Sequence, residues 1–292
     1  MSSLKGVFKN RKIFSQLLLL LFLSGLFFYI GLAFWMVISA GKREDAQAIR
    51  VLQLIQSIGL FLIPPFIFAY LVSDRKPTEY LSLSQKINLK DVMYVILIMF
   101  IAIPFVNFLT SLNQQLVLPE VLAPVEEWMK QTEEEAAVLT KQLLQVDNIG
   151  GLFANLILIA LIPALGEELY FRGALQNVIG RGKGTHFAIW MTGFLFSAFH
   201  LQFYGLLPRW LLGVFFGYIL VWSGNIWLPV IAHFTNNAIA VIFYYFSGQN
   251  NEVVNIDAVG TNDSWWMGVI SLILTILLVF RLKSRIPKKQ HI

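Results

Sequence analysis

Residues 17–38 read LLLLLFLSGLFFYIGLAFWMVI, 22 positions without a charged side chain. At about 1.5 Å per residue, such a run as a helix crosses the roughly 30 Å hydrocarbon core of a bilayer. Working outward from it, similar apolar stretches recur along the whole chain. Eight are expected to span, at about 14–40, 51–72, 91–110, 149–176, 186–204, 207–222, 225–246 and 265–282. The 292 residues are 57% hydrophobic and 13% charged, with 25 Phe and 8 Trp. The mean hydropathy is +0.67. A soluble domain carries about twice that charge. The expected fold is therefore all-α, a polytopic transmembrane bundle of about eight spans. Soluble enzymes and disordered chains are excluded, as are outer-membrane barrels, whose strands are short and alternate. Lys and Arg beside a membrane account for the pI near 9.3, so no nucleic acid is expected as a partner. There is no cysteine, which removes disulfides, thiolate nucleophiles and Cys-ligated metals.

The loops set an expected orientation. Lys5, Lys9, Arg11, Lys12, Arg75, Lys76, Lys86, Lys90, Arg181, Lys183, Arg281, Lys283, Arg285, Lys288 and Lys289 fall on one side. The other side holds only Lys42, Arg43, Arg50, Lys130, Lys141 and Arg209. The positive-inside rule puts the richer side, and both termini, in the cytoplasm. The first run is too long for a signal peptide and is read as an uncleaved span. The outer segment 111–148 is acidic, with Glu120, Glu126, Glu127, Glu133, Glu134, Glu135 and Asp147. Within it, 124–146 reads as an amphipathic helix, either a solvated helix on the outer face or a lid or substrate-docking helix. Pro64, Pro65, Pro104 and Pro163 are expected to kink or end helices. Gly213 and Gly217 share a helix face and predict close packing inside the bundle.

Ionisable groups inside hydrocarbon are costly and usually mark function. Here they cluster in three spans. The fourth ends Gly166-Glu167-Glu168-Leu169-Tyr170-Phe171-Arg172, the fifth carries Phe196 to His200, and the seventh His233-Phe234-Thr235-Asn236-Asn237. Glu168 and Arg172, four apart, can pair on one face, and His233 and Asn237, also four apart, stand side by side on one helix. Glu167 lies about 100° around its helix from Glu168 and is free of that pair. Packed together, these groups form a hydrolytic set without a covalent nucleophile. Glu167 can act as general base on water that His200 helps hold. His233 and Asn237 can donate to an oxyanion, each such donor contributing roughly 3–4 kcal/mol. Alternatively, Glu167, His200 and His233 could hold a Zn²⁺ that acidifies its water. At this level direct and metal-assisted activation both stay open.

Taken singly, each feature has a structural reading: an ion pair at a membrane edge, a satisfied interhelical histidine, or polar glue between helices. All three in neighbouring spans of one chain favour a site. His186 is expected in an interfacial loop and His291 in a solvated tail. Ser197, one turn before His200, is a weak candidate nucleophile, since membrane serines commonly bond backbone carbonyls. There is no His-Glu-x-x-His, Gly-x-Ser-x-Gly or Gly-x-Gly-Asp motif, and Arg181-Gly182-Lys183-Gly184 lacks phosphate-loop spacing. No internal repeat supports a transporter of inverted halves.

At these residues the chain resembles the CAAX prenyl endopeptidase and bacteriocin-processing group, also called the Abi or type II CAAX protease family. Its pattern is Glu-Glu-x-x-x-Arg, Phe-x-x-x-His and His-x-x-x-Asn on successive helices. Here that is Glu167 to Arg172, Phe196 to His200 and His233 to Asn237, complete and in order over about 150–245. The resemblance implies an intramembrane endopeptidase with Glu167, Glu168, Arg172, His200, His233 and Asn237 at its site. It further implies a peptide or protein substrate at the membrane, prenylated or bacteriocin-related, with either Zn²⁺ or no cofactor. A non-proteolytic immunity or scaffold protein of the same fold is the alternative. The expected organisation is 1–148 as N-terminal spans with the acidic loop, 149–246 as catalytic core, and 247–292 as last span and basic tail. The expected setting is a bacterial or archaeal cell membrane. One tension remains: with these span edges Glu167 and His233 fall nearer the inner face, and His200 nearer the outer.

Overall fold

The computed structural model describes residues 4–39, 46–249 and 258–286. Lys42, Arg43, Lys288, Lys289 and His291 therefore lie outside the described residues. Within them the chain is all-helical, without strands. Its main helices are α1 (Ile13–Ser39), α2 (Gln47–Val72), α3 (Leu89–Gln114), α4 (Ala123–Leu144), α5 (Ile149–Lys183), α6 (Thr185–Phe199), α7 (Leu206–Ser223), α8 (Trp227–Gln249) and α9 (Trp265–Arg285). Seven of these stretches are long and apolar enough to cross a membrane, and α6 is a shorter apolar helix. The chain is an integral membrane protein. Side chains such as Phe14, Leu21 and Val37 of α1 and Leu277 and Phe280 of α9 point outward, as lipid-facing surfaces must.

Helix ends follow local chemistry. Asn88 caps α3, its Oδ1 accepting from Lys90 N at 3.0 Å, and Asn148 caps α5 through Gly151 N at 2.9 Å. Gly224 (φ 60°) closes α7 in the left-handed conformation that only glycine adopts without strain. None of these four prolines ends a helix, contrary to half of the expectation. Pro64–Pro65 and Pro163 each follow a π-helical stretch, Ile58–Leu62 and Leu156–Leu161, whose wider turns absorb the missing N–H. Pro104 sits inside α3, where Ser271 of α9 enters the broken ladder. Its hydroxyl accepts from Phe105 N and donates to the Ile101 carbonyl.

Two buried clusters hold the bundle. One joins Leu20, Phe68, Leu81, Leu169 and Phe171 across α1, α2 and α5. The other joins Val95, Ile98, Phe216, Ile219, Leu228 and Leu282 across α3, α7, α8 and α9. The glycine expectation holds within the bundle. A Cβ on Gly213 would stand 3.0 Å from the Gly193 Cα of α6, and one on Gly217 only 2.7 Å from Gln176 Oε1 of α5. This contact draws α5, α6 and α7 together around the polar residues.

The two ends of the bundle differ in charge. Lys9 pairs with Asp74, Arg181 bonds Gln16 and Arg285 lies beside Asp91, all at the end where the described termini meet. The opposite end carries the acidic α4. Its C-terminal carbonyls are held by Arg50, which donates to Leu143 O (3.0 Å) and Gln145 O (3.2 Å), and by Asn155, which donates to Leu144 O. Trp128 packs on Phe203 with ring centroids 5.1 Å apart.

Candidate active site

The fourth predicted span is in fact 35 residues long. Glu167 is therefore near its middle rather than close to one end. The fifth is short: 15 residues cover only about 22 Å, so His200 at its end stays well inside the bundle. Helix length thus removes the mismatch in depth expected from the sequence. A cavity of about 490 Å³ joins these positions. Glu167, His200, His233 and Asn237 all line it, with Phe196 and Phe216 as apolar walls.

Glu168 and Arg172 lie beneath the cavity and are fully buried. Arg172 Nη1 donates to Glu168 Oε1 at 3.0 Å and Nη2 to the Gly213 carbonyl at 3.0 Å. The guanidinium also faces the Phe196 ring at 4.5 Å, a cation–π contact strengthened by low dielectric. The same Glu168 oxygen lies 3.0 Å from His233 Nδ1. An anion with two cationic or polar donors is a structural anchor, and it orients the imidazole. His233 stacks on Phe216 at 5.5 Å, and its Nε2 is turned towards Glu167 Oε2, 3.9 Å away. That Glu167 oxygen has no hydrogen-bond partner among the described residues. A carboxylate oxygen left free in this way is what a general base requires.

His200 shares its Nδ1 with the Phe196 carbonyl at 2.9 Å, which assigns the proton to Nδ1 and leaves Nε2 as an acceptor. Asn237 Nδ2 donates to Ile159 O at 3.4 Å, and its Oδ1 accepts from Asn236 at 3.3 Å. His233 is held by Glu168, and Asn237 stands one turn further along the same helix. The two still line one cavity. For the alternative of a zinc set at Glu167, His200 and His233, no group of three His, Asp or Glu side chains among the described residues is placed to share a metal ion. Ser197 lies outside the cavity, its hydroxyl donating to Leu206 O at 2.7 Å, which leaves it no nucleophilic role. His186 opens α6 rather than lying in a loop and bonds the Tyr218 hydroxyl at 2.8 Å.

Several lining residues escaped the sequence analysis: Gln53, Ser57, Gln202, Asn236 and Arg209. Arg209 carried a readable signal. It is a cation in the first turn of an apolar helix, the same feature that singled out Glu167. Thr140 and Leu144 of α4 also line the cavity, so this helix lies over its rim and is not merely solvated.

Residues 149–239 match the family model described as type II CAAX prenyl endopeptidase Rce1-like. The uncharacterized protein YpbD of Bacillus subtilis (strain 168) is 32% identical over 92 residues, 29% of this chain and 43% of that protein. The chain thus aligns with less than half the length of that curated relative. No solved structure gives a significant match. The matched segment contains both carboxylates, Arg172, both cavity histidines and Asn237. Over residues 149–239, then, this chain is similar to the type II CAAX prenyl endopeptidase Rce1-like family.

Proposed function

We propose that the protein is an intramembrane endopeptidase that hydrolyses a peptide bond of a membrane-associated chain. The observation that carries this reading is the free Glu167 oxygen beside the anchored His233, in a cavity also lined by His200 and Asn237. In the proposed reaction, water sits between Glu167 and His200 Nε2. Glu167 takes one proton as the water oxygen bonds to the substrate carbonyl carbon. Charge then develops on the carbonyl oxygen, where the Asn237 amide donates; His233, carrying at Nε2 a proton taken from solvent before the attack and kept through the cycle, does the same. Collapse of the tetrahedral intermediate breaks the C–N bond, and Glu167 returns its proton to the leaving nitrogen. Glu168 and Arg172 act through His233, fixing its ring and keeping Nε2 towards the base.

Polarity of charge supports a cytoplasmic location for the basic end and both termini. The cavity, lined by Thr140 and Leu144 of α4, then opens on the other face. The proposed substrate is therefore an exported or bilayer-embedded chain reached from that face. A prenylated CAAX-type or bacteriocin-related chain qualifies only if presented there.

The test compares peptides from cells carrying the wild-type chain or Glu167→Gln, by mass spectrometry of membrane and secreted fractions. General-base loss lowers turnover about 10²–10⁴-fold, so cleavage products should vanish while the variant accumulates at normal levels. Identical peptide pools would overturn proteolysis and leave the non-proteolytic reading of this fold.

A further inference from the structure

Arg209 presents a cation to the cavity without a carboxylate to neutralise it. Its guanidinium is held by one residue, Nη1 donating to the Gln202 carbonyl at 3.3 Å and Nη2 to Gln202 Oε1 at 2.7 Å. Both acceptors are neutral amide oxygens, which fix the group in place but leave its full charge. Gly205 makes the fold-back possible, since a Cβ there would stand 3.2 Å from Nη2. No carboxylate lies within 4.0 Å of Arg209 among the described residues. Glu133 and Glu167 are the acidic groups in electrostatic reach, and Glu133 is engaged with Tyr204 N. Two of the five guanidinium N–H bonds are used, so the rest are available to a ligand. A planar fork of donors, pre-oriented and half-buried, suits a carboxylate better than any other group a peptide carries.

We propose that Arg209 is a substrate-specificity residue that binds a carboxylate of the peptide, within the same cavity as Glu167. The inference rests on reading that cavity as a peptide site. Its chemistry fits either the free α-carboxylate at a chain end or an acidic side chain near the scissile bond. The enzyme would then select peptides by an anion held at a fixed distance from the cleaved bond. Gln202 positions the guanidinium and Arg209 itself touches the ligand.

The experiment is calorimetric titration of the purified full-length chain in detergent with three probes: trileucine free acid, trileucine amide and Leu-Leu-Glu amide. A charged hydrogen bond lost from a half-buried site predicts that at least one carboxylate probe binds about ten- to a hundredfold more tightly than trileucine amide. Preference for trileucine free acid assigns the site to a chain end; preference for Leu-Leu-Glu amide assigns it to a side chain. Arg209→Gln should abolish the preference, and Arg209→Lys should restore part of it. Equal affinity for all three probes, or a preference that survives Arg209→Gln, would overturn the proposal. So would a drop in affinity for acid and amide alike, which is the mark of a purely structural role. Failure of the hydrolytic reading registers separately, as identical peptide pools from cells carrying the wild-type chain and Glu167→Gln.

Discussion

At the scale of single residues, the most consequential group is one that does not line the cavity. Arg172 is fully buried, with Glu168 as its only ion-pair partner among the described residues. An uncompensated charge at this depth has no water to turn to. Replacing Arg172 with Met should cost about 3–5 kcal/mol, read as a lower midpoint of unfolding in detergent. The double variant Glu168→Gln with Arg172→Met should recover much of that loss, because it buries no lone charge. Equal instability of single and double variants would show that Arg172 acts through packing against Phe196 and Phe216 instead. The Glu168–Arg172 pair was legible, because a four-residue spacing fixes a shared face whatever the tertiary fold. The turn of His233 towards Glu168 was not. Ring direction depends on the rotation of α8 against α5, and no pattern within one helix encodes it. Arg209 was hidden for a different reason: basic residues near span ends are common anchors, so its position alone drew it to the surface loop.

Among the elements, α4 shows how little holds a peripheral helix in place. Its outer face is exposed, and none of its residues is fully buried. What fixes its C-terminal turn is a set of caps: Arg50 on the carbonyls of residues 143 and 145 and Asn155 on that of 144. Arg50→Ala removes both charged hydrogen bonds, each of a kind that contributes about 1.5–3 kcal/mol. Amide exchange across 136–144 should then quicken at least about tenfold, with the α5–α8 core unchanged. Unaltered exchange would mean that Trp128 against Phe203 suffices to seat the helix. The existence of α4 was plain from its charge pattern. Its place over the cavity was not, since the residues that pin it lie far away in the chain. The spans themselves were legible to within a few residues, apart from α5, whose length beyond residue 176 was missed. Its polar continuation, Asn177–Lys183, looks like a loop because apolar content, not hydrogen bonding, is what a sequence window reports. The prolines misled in the same way. A π turn before the ring accepts it without breaking the helix, and nothing in the local sequence announces that accommodation.

For the whole molecule, the deciding property is that charge and cavity point to opposite ends. Lys9, Arg181 and Arg285 gather where the described termini meet, whereas Thr140, Leu144 and Gln202 line the cavity beside the acidic end. Translocation of a Lys- and Arg-rich loop is opposed during insertion, so the basic end should remain cytoplasmic. The natural chain contains no cysteine, and any introduced thiol reports without background. Thr140→Cys places one on the exposed surface of α4, and Lys183→Cys one at the basic end of α5. In intact cells, a membrane-impermeant maleimide should label the first and spare the second until the membrane is permeabilised. The reverse pattern would invert the protein and turn its cavity to the cytoplasm, where cytosolic lipidated C-termini would become the natural substrates. With the expected pattern, such chains cannot reach Glu167. The substrate must then arrive through the bilayer or from outside, and Arg209, on the cavity wall with Gln202, would meet its carboxylate there.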